Sequence, residues 1–396
     1  MKRVVVTPLI VFLIVLSATG SFAVMQSHFY LKSIKVTPVH SNNLAQLETR
    51  DPIHIGANSD FALVGATGVG TPSDPYRFEN LTIASNATCI IVENTTAHFV
   101  ISNCRLETFG ASGAITFSNV ENGRVVSCEV ANAAFGITVI DSLNVSLENT
   151  TIYGSSYGIA LNGVANATIV DCTIFYNYRG VVLDRTNRSQ VRHNTVYGNM
   201  QLGIQIGFSS HNNSIYGNSI GWNVMNAIDT GADNYFDDNV SIGNRWSDFN
   251  ESESYVITGT ANSVDSFAQL LEDNVAPYLM PIYDVAIDID SVGNTLTWLA
   301  HDEFPRSYKI QENQVDKVIS VWTGGDVSYG VDHLMIGTYN VTIILTDGAQ
   351  HEASDEVLVS VASRILGGIG TELVMIASGI TAASFGIVVI LSKRLS

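Results

Sequence analysis

Four glycines constrain this chain more than any other feature. Gly136, Gly158 and Gly180 stand 22 residues apart, and Gly203 follows after 23. Each opens a similar phrase: Gly136-Ile137-Thr138-Val139, Gly158-Ile159-Ala160-Leu161, Gly180-Val181-Val182-Leu183 and Gly203-Ile204-Gln205-Ile206. Apolar residues alternate after each glycine, which is the period of a strand with one face turned inward. A second phrase recurs in every unit, from Ile101–Leu106 through Val125–Val130, Leu147–Ile152, Ile169–Ile174 and Val191–Val196 to Ile215–Ile220. Phe78–Ile83 reads as a looser first copy and Asp237–Ile242 as a last one. A 22-residue unit of short strands and tight bends cannot bury its own apolar side. Stacked units make a continuous core, each strand pairing with the next turn. The β-branched, Asn- and Gly-rich content excludes a helical repeat. About eight turns at roughly 4.8 Å spacing give a rod near 38 Å long.

The pattern resembles the right-handed parallel β-helix family, in particular NosD-like and carbohydrate-binding/sugar-hydrolase repeats. The resemblance covers roughly residues 53–267. Gly68-Val69-Gly70-Thr71-Pro72-Ser73-Asp74-Pro75-Tyr76 looks like the opening segment of such proteins, and Gly243-Asn244-Arg245-Trp246-Ser247-Asp248-Phe249 like their terminal turn. That fold hosts many functions, so the likeness speaks to architecture rather than activity.

Beyond the repeat, residues 268–281 read as a linker bounded by Pro277 and Pro281. Residues 282–362 carry alternating segments at Asp284–Ile289, Thr295–Trp298, Ser307–Gln311, Val315–Trp322, Tyr339–Leu345 and Glu356–Val361, a small β-sandwich with Trp298 in its core. Leu334–Thr342 with Asp347-Gly348 resembles the immunoglobulin-like modules of archaeal cell-surface proteins. Residues 363–372 form a Gly-rich joint. Leu373–Leu391 is 19 residues without charge, followed by Lys393 and Arg394, which predicts a transmembrane helix with a cytoplasmic tail at 392–396. At the other end a basic Met1-Lys2-Arg3, an uncharged run and Ser21-Phe22-Ala23 predict a signal peptide over 1–23, or an N-terminal anchor, with 24–52 as a lead-in. The expected fold is therefore all-β: a right-handed parallel β-helix of about eight turns, a β-sandwich, and a C-terminal transmembrane helix. The expected location is the cell membrane, single-pass, with the bulk outside.

The chain has 37 acidic and 19 basic residues, a net charge of −18, which argues against a nucleic-acid partner. Its four cysteines rule out a dense disulfide scaffold. Cys104, Cys128 and Cys172 share one inward position with Thr150, Asn194 and Asn218, where packing explains them; neighbouring turns would also permit a Cys104–Cys128 bridge. No Cys-x-x-Cys or His-rich cluster suggests a metal, and no cofactor is expected. The acidic groups at Asp229, Asp233, Asp237, Asp238 and at Asp284, Asp288, Asp290 match no calcium loop and read as solvated surface. Eleven Asn-x-Ser/Thr sequons offer glycosylation sites, with Asn144 and Asn166 read as candidates for burial.

Sugar-cleaving β-helices use clustered carboxylates, or bound calcium with a basic residue. No Lys occurs between Lys35 and Lys309, and the paired-Asp, Gly-His-Gly and Arg-x-Lys signatures are absent. Asp171 and His193 occupy equivalent positions on adjacent turns, with Asp184 and Arg192 nearby in the repeat. They form either a catalytic group or an outward ion pair, and the second reading is preferred. Tyr153, Phe175 and Tyr197 each follow an inward residue, so they point outward and stack on successive turns, with Tyr157, Tyr176 and Tyr178 near the same bend. Such a column either binds the C–H faces of a saccharide or stabilises the sheet by mutual stacking. The function expected is recognition of a polysaccharide or another envelope component without catalysis. A surface polysaccharide hydrolase or lyase, or a NosD-like maturation factor, are the alternatives.

Overall fold

A computed structural model describes residues 47–363, apart from 111, 251 and 252. Both predicted chain ends, the signal peptide and the transmembrane helix, lie outside the described residues. All the described residues fall within one compact unit.

The repeat forms three parallel sheets wound around a common core. Sheet A has ten strands, from Glu48–Thr49 to Gln269–Leu270. Sheet B has eight, from Ile53–Ile55 to Met225–Asp229, and sheet C seven, from Tyr76–Glu79 to Ser214–Tyr216. One turn runs B, C, A: Phe135–Ile140, Ser146–Glu148, Thr151–Tyr153, then Tyr157–Asn162 opens the next. The registers copy the sequence period, as in Ile137↔Ile159↔Val181↔Ile204.

The repeat glycines are required by contact with the next turn. A Cβ at Gly136 would lie 2.4 Å from the carbonyl oxygen of Gly158, and one at Gly180 2.6 Å from that of Gly203. No side chain fits there. Each change of direction between sheets C and A is made by a single residue in the left-handed region: Asn103, Ser127, Asn149, Asp171 and His193 have φ between 45° and 56°, and Gly217 is at 68°. Asn and Asp tolerate that conformation best among residues with a Cβ, which accounts for their density in the sequence. The corner between B and C is built likewise from Asn122, Asn144, Asn166, Arg188 and Asn212. Asn144 and Asn166 are thereby exposed, not buried.

Inside the corners, buried polar side chains run along the rod. The position of Cys104, Cys128, Thr150 and Cys172 continues as Asn194, Asn218 and Asn244, all buried. Asn194 Nδ2 donates to Asn218 Oδ1 (3.0 Å) and to the Ile169 carbonyl (2.9 Å), while its backbone N–H donates to the same Asn218 Oδ1 (2.9 Å). Asn218 repeats this toward Asn244, and Asn244 toward Asp265 Oδ2. The series thus runs one way, donor to acceptor, and stops at a carboxylate that also accepts from Trp246 Nε1 (2.9 Å). Burial raises the affinity of Asp265 for a proton despite these donors. Two parallel series end similarly. Asn177, Asn199, Asn223 and Asn226 lead to Asp248 Oδ1, and Asn213 and Asn234 to Asp229 Oδ1. Asp229 and Asp237 are therefore buried and hydrogen-bonded rather than part of a solvated acidic patch. The four cysteines are free and buried; the Cys104 and Cys128 thiols donate to carbonyls of their own and the preceding turn.

Three boundaries differ from the sequence reading. Asp237–Ile242 is not a repeat strand: Asp238 Oδ1 collects the backbone N–H groups of Val240, Ser241 and Ile242 into a turn, and Arg245–Trp246 takes the next place in sheet A. The rod starts at Glu48 rather than 53. Within the expected linker 268–281, Gln269–Leu270 closes sheet A and Tyr278–Leu279 pairs with Ala300–His301, and residues 271–277 between them are in neither helix nor strand.

The downstream module has a five-stranded sheet in the order Val285–Asp288, Glu352–Ala362, Gly337–Asp347, Pro305–Glu312, Val315–Val321, and a two-stranded one of Thr295–Trp298 with Val327–Gly330. Trp298, Trp322, Ile343, Leu345, Val357 and Val359 form its core. Trp298 Nε1 donates to Asp355 Oδ2 at 2.8 Å.

A ladder asparagine matters more to stability than a ladder cysteine. Asn218→Leu leaves the Asn194 backbone N–H and side-chain amide without their acceptor, at about 1–3 kcal/mol for each unsatisfied buried group. Cys172→Ala removes only a small apolar volume and a weak donor, about 1 kcal/mol. Urea midpoints should fall further for Asn218→Leu; a larger drop for Cys172→Ala would contradict the ladder's role.

Candidate functional site

The aromatic column expected to face solvent is built, and then covered. Tyr153, Phe175 and Tyr197 leave the coil on successive strands of sheet A and stack, with ring centroids 5.4 and 5.2 Å apart. Their exposures, however, are 0%, 2% and 1%. Leu271 and Phe304 lie over them, with Trp222 at the edge. Phe304 meets Tyr197 edge-on at 5.5 Å and Trp222 at 4.9 Å, and the Tyr197 hydroxyl donates to the Pro305 carbonyl at 2.8 Å. A Cβ at Gly348 would stand 2.9 Å from the Tyr197 ring, so glycine there permits the close approach. Burial, and after it the charge of Asp302, keeps the Tyr197 phenol neutral. Tyr153 is likewise held neutral by burial and by Glu129, to which its hydroxyl donates at 2.6 Å. The column is a seam between rod and module and offers no free ring to a ligand.

Of the catalytic candidates, Asp171, Arg192 and His193 meet at one corner on adjacent turns, whereas Asp184 lies on another sheet. Asp171 and His193 are corner residues between sheets C and A, placed by the left-handed backbone that the turn requires. Among the described residues no ion pair joins them. His193 instead meets Tyr216 edge-on at 6.1 Å. Arg192 ends a strand of sheet C, whereas Asp184 ends one of sheet B.

A different face carries exposed aromatic groups. The residue preceding each repeat glycine points outward from sheet B, giving the column Phe135↔Tyr157↔Arg179↔Leu202, which Met225 continues one turn further. Phe135 and Tyr157 are stacked at 5.1 Å with 13° between their planes. The Arg179 guanidinium lies 5.5 Å from the Tyr157 centroid and 5.9 Å from that of Tyr178. Its Nε donates to Gln201 Oε1 (2.6 Å) and its Nη1 to Gln205 Oε1 (3.1 Å). No carboxylate pairs with Arg179 among the described residues. Phe135 is 40% exposed and Tyr178 43%. The adjacent outward column, Thr116↔Thr138↔Ala160↔Val182, is short-chained and half-buried up to Gln205, and the Thr138 hydroxyl is enclosed without a hydrogen-bond partner. The result is a strip of half-exposed, mutually stacked aromatic groups and one cation, in which only Phe135, opposite Gly113 on the preceding turn, has a neighbour without a side chain on one side.

Electrostatics differ at the junction. Asp273, Asp302, Glu303 and Asp347 crowd together there, and burial, with the neighbouring carboxylates Asp273 and Asp347, pushes Asp302 up to about 6. Asp273, Asp347 and His351 are the one group of three or more among the described residues whose ligand atoms could share an ion.

A family model described as the right handed beta helix region matches residues 65–220. The chain is a parallel β-helix repeat protein. No curated protein matches it in sequence. Solved structures similar to this β-helix include the ORF18 protein of Geobacillus virus E2, with 11% identity and a TM-score of 0.37, covering 78% of this chain and 63% of that one. Endopolygalacturonase I of Stereum purpureum has 16% identity and a TM-score of 0.33, covering 56% and 77%. The A-module of the mannuronan C-5 epimerase AlgE6 of Azotobacter vinelandii has 12% identity and a TM-score of 0.33, covering 52% and 67%. Likenesses of this size identify no ligand for the β-helix.

The seam generates its own expectation. Phe304→Ala opens a void against Tyr197 and Trp222 and should cost about 3–5 kcal/mol of the rod–module contact. Trp222 emission should shift to longer wavelength and residues 272–277 should become quicker to proteolyse. Unchanged emission and cleavage would mean that the module is held by something else.

Proposed function

We propose that the protein is a membrane-anchored surface β-helix whose sheet B face binds a saccharide chain without cleaving it. The observation that carries this reading is the exposed Phe135–Tyr157 stack continued by Arg179. Rings on neighbouring turns repeat at roughly 4.8 Å along the rod, close to the rise of one sugar unit in an extended chain. An aromatic ring packs against the C–H face of a pyranose, and Phe135, stacked on Tyr157 on one side and facing Gly113 on the other, supports such a contact. Arg179 has guanidinium N–H groups to spare beyond those given to Gln201 and Gln205, and these can donate to hydroxyls or to an acidic substituent. The half-buried floor of Thr116, Thr138 and Ala160 admits a flat ligand lying along the turns. The Leu373–Leu391 run with Lys393 and Arg394 behind it supports anchorage with this face outside, and the module then acts as the spacer between rod and membrane. Asp184 ends a strand of sheet B, away from the corner that carries Asp171, Arg192 and His193, and no ion pair joins Asp171 to His193 among the described residues, which supports binding rather than hydrolysis.

The test is glycan-array screening of the full chain followed by titration of the best ligand. Phe135→Ala with Tyr157→Ala should weaken it more than 10-fold while the unfolding midpoint changes little, since Phe135 is exposed and Tyr157 half-exposed on the outer side of sheet B. Full affinity in the double variant would refute the sheet B site. Release of new reducing ends or unsaturated products by the wild type would replace binding with catalysis.

A further inference from the structure

The junction holds a group of side chains that the saccharide reading does not use. Asp273 follows the last strand of sheet A by three residues, and Asp347 and His351 flank the tight turn between Gly337–Asp347 and Glu352–Ala362. Asp273 is remote in sequence from the other two, yet the ligand atoms of all three lie within 4.8 Å of one another. Asp347 is fully buried. Its Oδ1 accepts the His351 backbone N–H at 2.8 Å, and its Oδ2 faces His351 Nδ1 at 2.9 Å. Asp273 Oδ1 has only a long contact to the Val275 N–H, at 3.3 Å. Asp273 Oδ2 is enclosed and has no hydrogen-bond partner at all.

A buried carboxylate oxygen without a donor is costly, because it has given up water and received nothing in return. Here no Lys or Arg among the described residues pairs with Asp273 or Asp347. A small cation seated where two carboxylates and an imidazole meet would satisfy this oxygen. We propose that Asp273, Asp347 and His351 bind a divalent first-row transition ion that fastens the end of the rod to the module's hairpin.

The donor set decides the class of ion. An imidazole nitrogen with two carboxylates suits zinc and its neighbours, whereas calcium takes six to eight oxygens. Bonds of about 2.1 Å place adjacent ligand atoms about 3.0–3.4 Å apart. The Nδ1–Oδ2 distance of 2.9 Å is just under that range, and the Asp273 ligand atom lies within 4.8 Å of both. Oδ1 of Asp347, held by the His351 N–H, keeps the carboxylate oriented as an outer partner would. Three protein ligands leave at least one position for water, and His351, half-exposed, gives the ion a way in.

The experiment is titration of the full chain, stripped with chelator, with Zn²⁺, Mn²⁺ and Ca²⁺ separately, by calorimetry and thermal unfolding. One equivalent of Zn²⁺ or Mn²⁺ should bind and raise the unfolding midpoint, and Co²⁺ should give a visible absorption band. His351→Ala should weaken binding at least 10-fold and abolish that band. Asp347→Asn risks misfolding because Asp347 is buried, so the isosteric Asp273→Asn at the partly exposed ligand is the second variant, with the same loss expected. No stoichiometric binding at millimolar ion, a preference for Ca²⁺, or unchanged affinity in both His351→Ala and Asp273→Asn would each overturn the proposal. None of these readouts depends on saccharide binding.

Discussion

The one-way hydrogen bond between stacked asparagines is the interaction on which the rest of this rod depends. Each buried amide has two donors and a carbonyl, and its surroundings are wholly protein. Asn194 satisfies itself only because Asn218 presents its oxygen one turn later, and Asn218 only because Asn244 does the same. A series with that direction always leaves its last member's donors in need of an acceptor. All three series meet this need with an aspartate at the far end: Asp265, Asp248 and Asp229. A carboxylate accepts and does not donate, so the series closes without a new demand. Buried polar networks are favourable only when complete, and here completeness extends over the second half of the rod.

The upstream half solves the same position differently. Cys104, Cys128 and Cys172 place a weak donor where asparagine would place a strong one, and each thiol is content with a carbonyl of the wall. The core there is correspondingly more apolar, with Phe61, Phe78, Phe99 and Phe117 packed together.

Much of this was legible because it repeats. The glycine spacing gives the turn length, alternation gives the inward faces, and the shared Cys/Thr/Asn position gives the ladder. The features that escaped the sequence depend on residues without a periodic partner. Tyr153, Phe175 and Tyr197 were correctly placed outside the coil, but Tyr197 finds its cover in Phe304 and Pro305, 108 residues downstream of it in the case of Pro305. No local pattern records that contact. Asp171 and His193 looked like a chemical pair because the corner selects Asn, Asp and His for backbone reasons. The sheet B column did leave a signal: Phe135, Tyr157, Arg179 and Leu202 each precede a repeat glycine, a position overshadowed by the apolar alternation on the glycine's C-terminal side. Asp273, Asp347 and His351 left none, being joined only by the docking of the module.

The polarity of the ladders also bears on how such a chain can change its length. A duplicated unit inserted among the middle turns would find a donor above and an acceptor below, and the seam at Tyr197 and Phe304 would be undisturbed if the insertion fell before Ala131. An extra unit placed beyond Asp265 would meet an acceptor with nothing to give, and the aspartates would become misplaced interior charges. Growth by internal duplication is therefore open toward the start of the rod and closed at its far end, where the module is attached.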